Sequence, residues 1–306
     1  MHHHHDHHHA HDGTTHPRQM NRSFAIATLL ALGFTAFEAL YGYYANSMSL
    51  LADAAHNLGD GLGLILAWLA NWLLSFPAKR RYSYGYKRTT IIAALINAFI
   101  LVATSMLIAY EAIDKLFHLV NINEKVVIVV AFIGILVNGG SALLFRHGAS
   151  HDLNIRGAFW HLLADMMISV GVVVAAIIIM LTGWRWIDPV FALIIVVIIL
   201  WGTWGLMRDS LRLMLDAIPQ YIDYAGVKNY LSQLPGVTSI HDLHIWGLST
   251  REVALTAHLV MPTTPLTDAD HKAINHVMHE HFLISHVTIQ VESGSIDDPC
   301  GRKNLC

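Results

Sequence analysis

Between residues 20 and 206, long apolar blocks recur with only short polar breaks. A helix needs about 20 mostly apolar residues to cross the hydrocarbon of a bilayer, where every backbone amide must be bonded within the segment. Blocks at 21–44, 49–76, 89–117, 125–146, 155–182 and 187–207 have that length, so the sequence predicts six transmembrane helices. The composition agrees. Asp, Glu, Lys and Arg make up 13% of the residues, about half the roughly 25% of soluble domains. An ordinary soluble enzyme and a disordered chain are both excluded.

A formal net charge of −3 gives no basic face, so nucleic acid is not an expected partner. Cys300 and Cys306 stand in the last seven residues of the sequence. That excludes a disulfide framework and suits a tail on the reducing side of a membrane. The polar, histidine-rich N-terminus does not have the pattern of a signal peptide. Orientation follows from Lys and Arg in the short loops. Arg18, Arg22, Lys79, Arg80, Arg81, Lys87, Arg88, Arg146, Arg156, Arg208 and Arg212 fall on one side; Lys115, Lys125 and Arg185 fall on the other. The imbalance, with an even number of spans, predicts a multi-pass protein of the inner (plasma) membrane with both termini in the cytoplasm.

Past Arg212 the pattern changes to that of a small soluble domain over 220–293. A helix from Asp223 to Leu234 stops at Pro235-Gly236, and a strand runs from Val237 to Trp246. An alternating strand follows from Glu252 to Met261, then a helix from Thr267 to Phe282 with Thr267 as N-cap, and a strand from Val287 to Glu292. The order α-β-β-α-β predicts a compact α+β fold. The expected organisation is a His-rich tail (1–19), a six-helix transmembrane domain (20–207), a linker (208–219), the α+β domain (220–293) and a polar tail (294–306).

Two of the predicted spans carry the same interruption. Span two contains His56-Asn-Leu-Gly-Asp60, and span five contains His161-Leu-Leu-Ala-Asp165. On a helix, positions i and i+4 share a face. Two such pairs facing each other offer two imidazoles and two carboxylates, a donor set suited to tetrahedral Zn²⁺. The carboxylates also neutralise the ion where an uncompensated charge is costly. A single histidine in a helical bundle would be read as a packing hydrogen bond. Two identically spaced pairs point instead to a metal or proton pathway. Glu38 in span one is either a proton relay or a helix–helix hydrogen bond. Asp53 either lines a path or caps its helix, and Asn97 and Asn138 read as structural.

These motifs give the chain a resemblance. Ser49-Leu-Leu-Ala-Asp-Ala-Ala-His56-Asn-Leu-Gly-Asp60, Tyr84-Gly-Tyr-Lys-Arg88, His161-x-x-x-Asp165, Leu215-Asp216-x-x-Pro219 and His241-Asp-Leu occur in order from residue 20 to 293. The chain is similar to the cation diffusion facilitators, the metal-ion/proton antiporters, and within them to bacterial zinc exporters of the cobalt–zinc–cadmium resistance type. The resemblance implies a homodimer whose transmembrane domains join a cytoplasmic metallochaperone-like domain. It implies that His56, Asp60, His161 and Asp165 form the transport site, a combination associated with zinc over cadmium. It further implies a charge interlock between Arg88 and Asp216 at the cytoplasmic dimer face. Two departures stand out. Tyr82-Ser-Tyr-Gly-Tyr86 replaces the histidine-bearing loop that gives some relatives a second metal site. Gln290-Val-Glu292 lacks a histidine that relatives use on the last strand.

The resemblance marks His241, His258, His271 and Glu292 as regulatory zinc ligands of the cytoplasmic domain. Strand phase alone puts His258 and Glu292 on the polar faces and turns His241 inward with Leu243 and Ile245. His244, His276, His279, His281 and His286 read as surface residues. The tract His2–His11, broken by Asp6 and Ala10, is a flexible tail able to bind metal loosely. The expected function is Zn²⁺ efflux by proton antiport through the histidine–aspartate site, by alternating access in a homodimer, without enzymatic chemistry. An intramembrane metallohydrolase would need an open coordination position and a separate base, as in His-Glu-x-x-His, which the sequence lacks. A membrane-anchored metal sensor would not need ligands inside two spans.

Overall fold

The polar breaks between apolar blocks are where the chain turns. The computed structural model describes residues 17–145, 153–263 and 266–294; His2–His11, Arg146, Cys300 and Cys306 lie outside the described residues. Six long helices come first: α1 (Pro17–Ala45), α2 (Met48–Leu74), α3 (Thr89–Phe117), α4 (Glu124–Phe145), α5 (Leu153–Thr182) and α6 (Ile187–Met214). The shortest, α4, has 22 residues, which at 1.5 Å each is about 33 Å, enough for a hydrocarbon core of about 30 Å. α3, α4, α5 and α6 are long and apolar enough to cross a membrane. α1 and α2 have 29 and 27 residues, and carry Glu38, Asp53, His56, Asn57 and Asp60 among their apolar residues. Large apolar side chains face outward, Trp201 at 84% exposure and Leu181 at 76%. Water penalises such a surface; lipid does not.

The chain divides into two compact units, Met1–Gly61 with Thr104–Ile199, and Leu62–Ala103 with Leu200–Cys306. In the first, Met48, Leu50, Ala131, Val172, Ile179, Ala192 and Ile195 belong to one buried apolar cluster. α4 packs along α5, and α1 along α4. Gly134 makes this approach feasible, because a Cβ there would lie 2.9 Å from Cζ of Phe34 and 3.0 Å from Oγ of Ser169.

The start of α2 is fixed by a residue far away in sequence. Asp188, at the head of α6 and 2% exposed, accepts hydrogen bonds from the hydroxyls of Ser47 and Ser49 and from the backbone N–H groups of Met48 and Ser49. A helix N-terminus leaves its first N–H groups without intrahelical partners and is electropositive; the Asp188 carboxylate answers both. The N–H of Asn123 also donates to Ala45 O at 3.1 Å. Together these contacts hold the turn at Asn46, whose φ of 56° is left-handed, and set where the rest of α2 points.

The second unit contains α7 (Tyr224–Ser232), β1 (Ser239–Gly247), β2 (Val253–Val260), α8 (Asp268–Phe282) and β3 (His286–Glu292). The sheet order is β1-β2-β3, with β1 antiparallel to β2 and β2 parallel to β3, so α8 is the crossover. Alternating Val253, Leu255, Ala257 and Leu259 of β2 join Val227, Leu231, Ile274 and Met278 in its core. Thr267 caps α8 in a reciprocal box with Asp270. The Thr267 hydroxyl and backbone N–H hold the Asp270 carboxyl below the usual carboxylate range. Because that shift is downward, the box supports α8 at neutral pH and loses its contribution as acid protonates Asp270.

One expectation of strand phase is corrected here. β1 skips register between His241 and His244, and Asp242 takes a left-handed φ of 54°. The bulge breaks the two-residue alternation that would have turned His241 inward. His241 instead stands opposite His258, with ring centroids 5.1 Å apart.

Candidate metal centres

The i,i+4 spacing in α2 puts His56 and Asp60 on one face, and the same spacing in α5 does so for His161 and Asp165. The structure brings all four together. His56 Nε2 lies 3.6 Å from Asp60 Oδ2 and 3.6 Å from Asp165 Oδ1. His161 Nε2 lies 3.1 Å from Asp60 Oδ2 and 3.6 Å from Asp165 Oδ2. Each imidazole therefore reaches both carboxylates, its own helix's and the other's. The two rings meet edge to face with centroids 6.1 Å apart. The Asp165 side chain is 5% exposed and that of His161 48%, so the group is sealed on one side and reachable on the other.

Buried polar atoms normally have hydrogen-bond partners. Among the described residues, His56 Nδ1, Asp60 Oδ2 and Asp165 Oδ1 are buried without one. Two unsatisfied oxygens and a ring of nitrogens and carboxylates at over 3 Å are donors spaced around a centre instead of bonded to each other. A small divalent cation satisfies such a set with ligand distances of about 2.0–2.2 Å after a modest contraction.

The second centre lies on the sheet of the α+β domain. Among the described residues, His241, His258 and Glu292 each offer a ligand atom within 4.8 Å of the others. His241 Nε2 is 2.9 Å from Glu292 Oε2, and His258 Nδ1 is 2.7 Å from Glu292 Oε1. That last nitrogen still has no aligned hydrogen bond, nor does His241 Nδ1. Two nitrogens and a carboxylate converging in this way fit a zinc ion. His271, on α8, is not in this group. Asp242 and His244 flank it, with His244 Nε2 2.9 Å from Asp242 Oδ1 and His258 Nε2 3.7 Å from Asp242 Oδ2.

Arg88 and Asp216 are also brought together, bonded Nη2 to Oδ1 within one chain. Lys87 next to it bonds Glu252, and the N–H of Thr250 donates to Thr90 Oγ1 at 3.1 Å. Arg88–Asp216 is about half exposed and Lys87–Glu252 is half-buried; solvent-accessible pairs of this kind are worth about 0–1 kcal/mol, so they orient the loop and domain more than they stabilise them. Asp53 does not cap α2: it sits inside the helix and accepts from Ser169 Oγ at 3.1 Å. Glu38 accepts from Asn57 Nδ2 at 3.3 Å. Sequence reasoning missed Asp188 and Ser169. Asp188-Pro189 at a helix start looks like a local cap, and only the fold shows that it serves α2.

Apolar helices around a partly buried histidine–carboxylate cluster, followed by an α+β domain with a second one, define a multi-pass membrane protein with side chains able to hold metal. Its sequence places it further. Residues 24–215 match the cation efflux transmembrane domain and residues 219–294 the cytoplasmic domain of cation efflux proteins, so the chain belongs to the cation efflux family. It is 36% identical over 278 residues to the cation efflux system protein CzcD of Alcaligenes sp. (strain CT14), covering 90% of this chain and 88% of the relative. It is 33% identical to the cadmium, cobalt and zinc/H(+)-K(+) antiporter of Bacillus subtilis (strain 168), over 92% of each chain. The identity is also 33% to the zinc transporter ZitB of Escherichia coli (strain K12), over 92% of this chain and 91% of the relative.

Proposed function

We propose that the chain exports Zn²⁺ from the cytoplasm in exchange for protons, through His56, Asp60, His161 and Asp165, by alternating access in a homodimer. The observation that carries this reading is the four-way contact in which each imidazole reaches both carboxylates. Two carboxylates balance the charge of Zn²⁺, so the loaded site is neutral and can be exposed to either side without carrying net charge through lipid. Imidazole binds metal only when unprotonated, so protons and zinc exclude each other there. Relatives named for zinc transport and for zinc/H(+) antiport support the choice of substrate and counter-ion.

The Lys/Arg imbalance of the loops supports an inner-membrane protein with both termini inside, and with them a cytoplasmic α+β domain over 220–293. His241, His258 and Glu292 would hold a regulatory zinc there, with His271 as a more distant candidate from α8. Zinc bound at that trio would tie β1, β2 and β3 together and order the domain.

The deciding experiment reconstitutes the purified chain in vesicles and follows zinc flux and internal pH together. Zinc entering against counter-flowing protons supports the reading; zinc movement without them sinks the antiport mechanism.

Two outcomes follow for variants. His56→Asp raises the ratio of cadmium to zinc flux several-fold, because aspartate adds a charge and an oxygen donor that accommodates a larger ion, and ligand type and geometry set selectivity. An unchanged ratio in an active variant would locate selectivity elsewhere. Deleting residues 2–16 leaves the maximal rate nearly unchanged, since a tail concentrates metal without shaping a site between helices; vesicle flux at saturating zinc is the measurement, and complete loss of flux would move the tail into the mechanism.

A further inference from the structure

The loop that joins α2 to α3 gathers Lys79, Arg80, Arg81, Lys87 and Arg88 within ten residues. Two of these charges are answered by the α+β domain, Lys87 by Glu252 and Arg88 by Asp216. Lys79, Arg80 and Arg81 are exposed, and none of them pairs with an acid among the described residues. They are nevertheless held in place. The N–H of Lys79 donates to Tyr82 O at 3.1 Å, and the N–H of Tyr82 to Lys79 O at 2.8 Å. The chain therefore closes a two-residue turn with Arg80 and Arg81 at its tip. Behind the tip, the N–H of Gly85 donates to Tyr82 O at 2.9 Å, and the rings of Tyr82 and Tyr86 lie 5.1 Å apart.

An aromatic stripe leads to this turn. Trp68 and Trp72, four residues apart, share one face of α2, and Phe76, just past its end, meets Trp72 edge to face at 5.0 Å. All three rings are exposed, Trp68 at 67%. Exposed tryptophans at the end of a spanning helix mark the boundary between hydrocarbon and headgroups, and here the cations begin three residues after Phe76. The three unanswered charges thus emerge at headgroup depth. Retention of cations on one side of the membrane accounts for their number. It gives no reason for a closed turn, nor for three charges left without acids where two are paired.

We propose that the turn from Lys79 to Tyr82 is a binding site for the headgroups of anionic phospholipids. Arg80 and Arg81 each bring a planar fork of donors that suits a phosphodiester, and Lys79 adds a point charge. The acyl chains of the bound lipid lie along Trp68 and Trp72. A zwitterionic lipid offers the same phosphate but carries its own cation, so net charge decides between the two classes. Juxtamembrane lysines and arginines attract anionic lipid in this way over about a Debye length. The same loop reaches the α+β domain through Lys87 and Arg88, so a bound headgroup also steadies the segment that holds the domain. Nothing in this depends on which ion the metal quartet carries.

The test uses the purified full chain in detergent and follows energy transfer from its tryptophans to phosphatidylglycerol carrying a fluorescent acyl chain. Phosphatidylcholine with the same label is the reference. The wild type is expected to bind phosphatidylglycerol about threefold more tightly or better, and Lys79→Gln/Arg80→Gln/Arg81→Gln to lose most of that preference. The other Lys and Arg on that side of the membrane still outnumber those opposite, so the variant keeps its orientation signal. A triple variant with the wild-type preference overturns the proposal, and so does an equal loss in Lys115→Gln/Lys125→Gln, from the opposite side. Should the triple variant not insert, the wild type decides: its preference must fall as sodium chloride is raised, and a salt-independent preference overturns the site. Inorganic phosphate at constant ionic strength separates the sources. Preference that survives it supports a lipid site; preference erased by phosphate and not by chloride makes the turn a site for free phosphate and overturns the lipid.

Discussion

Asp165→Asn abolishes zinc transport while the protein still inserts and purifies. Asp165 is the most deeply buried member of the quartet and faces both imidazoles at 3.6 Å. The substitution preserves size and hydrogen-bonding shape but removes one negative charge. A Zn²⁺ ion bound by the remaining ligands then carries one uncompensated positive charge between the helices. A net charge at the centre of a membrane helix costs about 3 kcal/mol on insertion scales, and at 1.4 kcal/mol per tenfold that is roughly a hundredfold in occupancy. Flux in vesicles at fixed zinc should fall by at least that factor. Asp60→Ala and His161→Ala should do the same, each removing a contact to both helices' ligands. Zinc tolerance at wild-type level in cells carrying any of the three, at equal expression, would show that the cargo passes elsewhere.

Much of this arrangement was legible in the sequence, for identifiable reasons. The helices follow from apolar length, and the α+β elements from alternation and punctuation. Thr267 three residues before Asp270 is a short-range capping signal, and the box forms. The pairing within His56/Asp60 and within His161/Asp165 is likewise local, fixed by 3.6 residues per turn. Local rules do not give what crosses between elements. That Asp60 lies nearer to His161 than to His56 depends on how α2 and α5 pack, which no spacing encodes. His241 was misphased because a bulge at Asp242 resets a strand, and a single left-handed aspartate is a weak signal in a strand of alternating residues. Asp53 was left open between a cap and a path because its partner, Ser169, is 116 positions away.

The contact hardest to read from sequence carries the largest expected effect on stability. Asp188→Ala removes the acceptor of four hydrogen bonds at the buried start of α2. Ser47 and Ser49 are themselves 0% and 1% exposed, so water does not readily replace the carboxylate. Their two hydroxyls, 3.1 Å apart, can then bond each other, but the N–H groups of Met48 and Ser49 lose their side-chain acceptor. A buried donor left without a partner costs about 1–3 kcal/mol, and loss of a charge at a helix N-terminus adds about 0.3–1 kcal/mol. The sum, about 3 kcal/mol or more, lowers the unfolding midpoint of the purified protein by roughly 10 °C if it scales as in domains of comparable size. Asp188→Asn keeps an acceptor oxygen and should lose less. Transport should weaken in Asp188→Ala even below its melting range, because His56 stands two turns along the same helix and the quartet tolerates little displacement. The measurements are a thermal melt in detergent and zinc flux in vesicles on the same preparations. A midpoint within a degree of wild type would show that α2 does not need this cap, and the account of how the helix is aimed at the metal would fall with it.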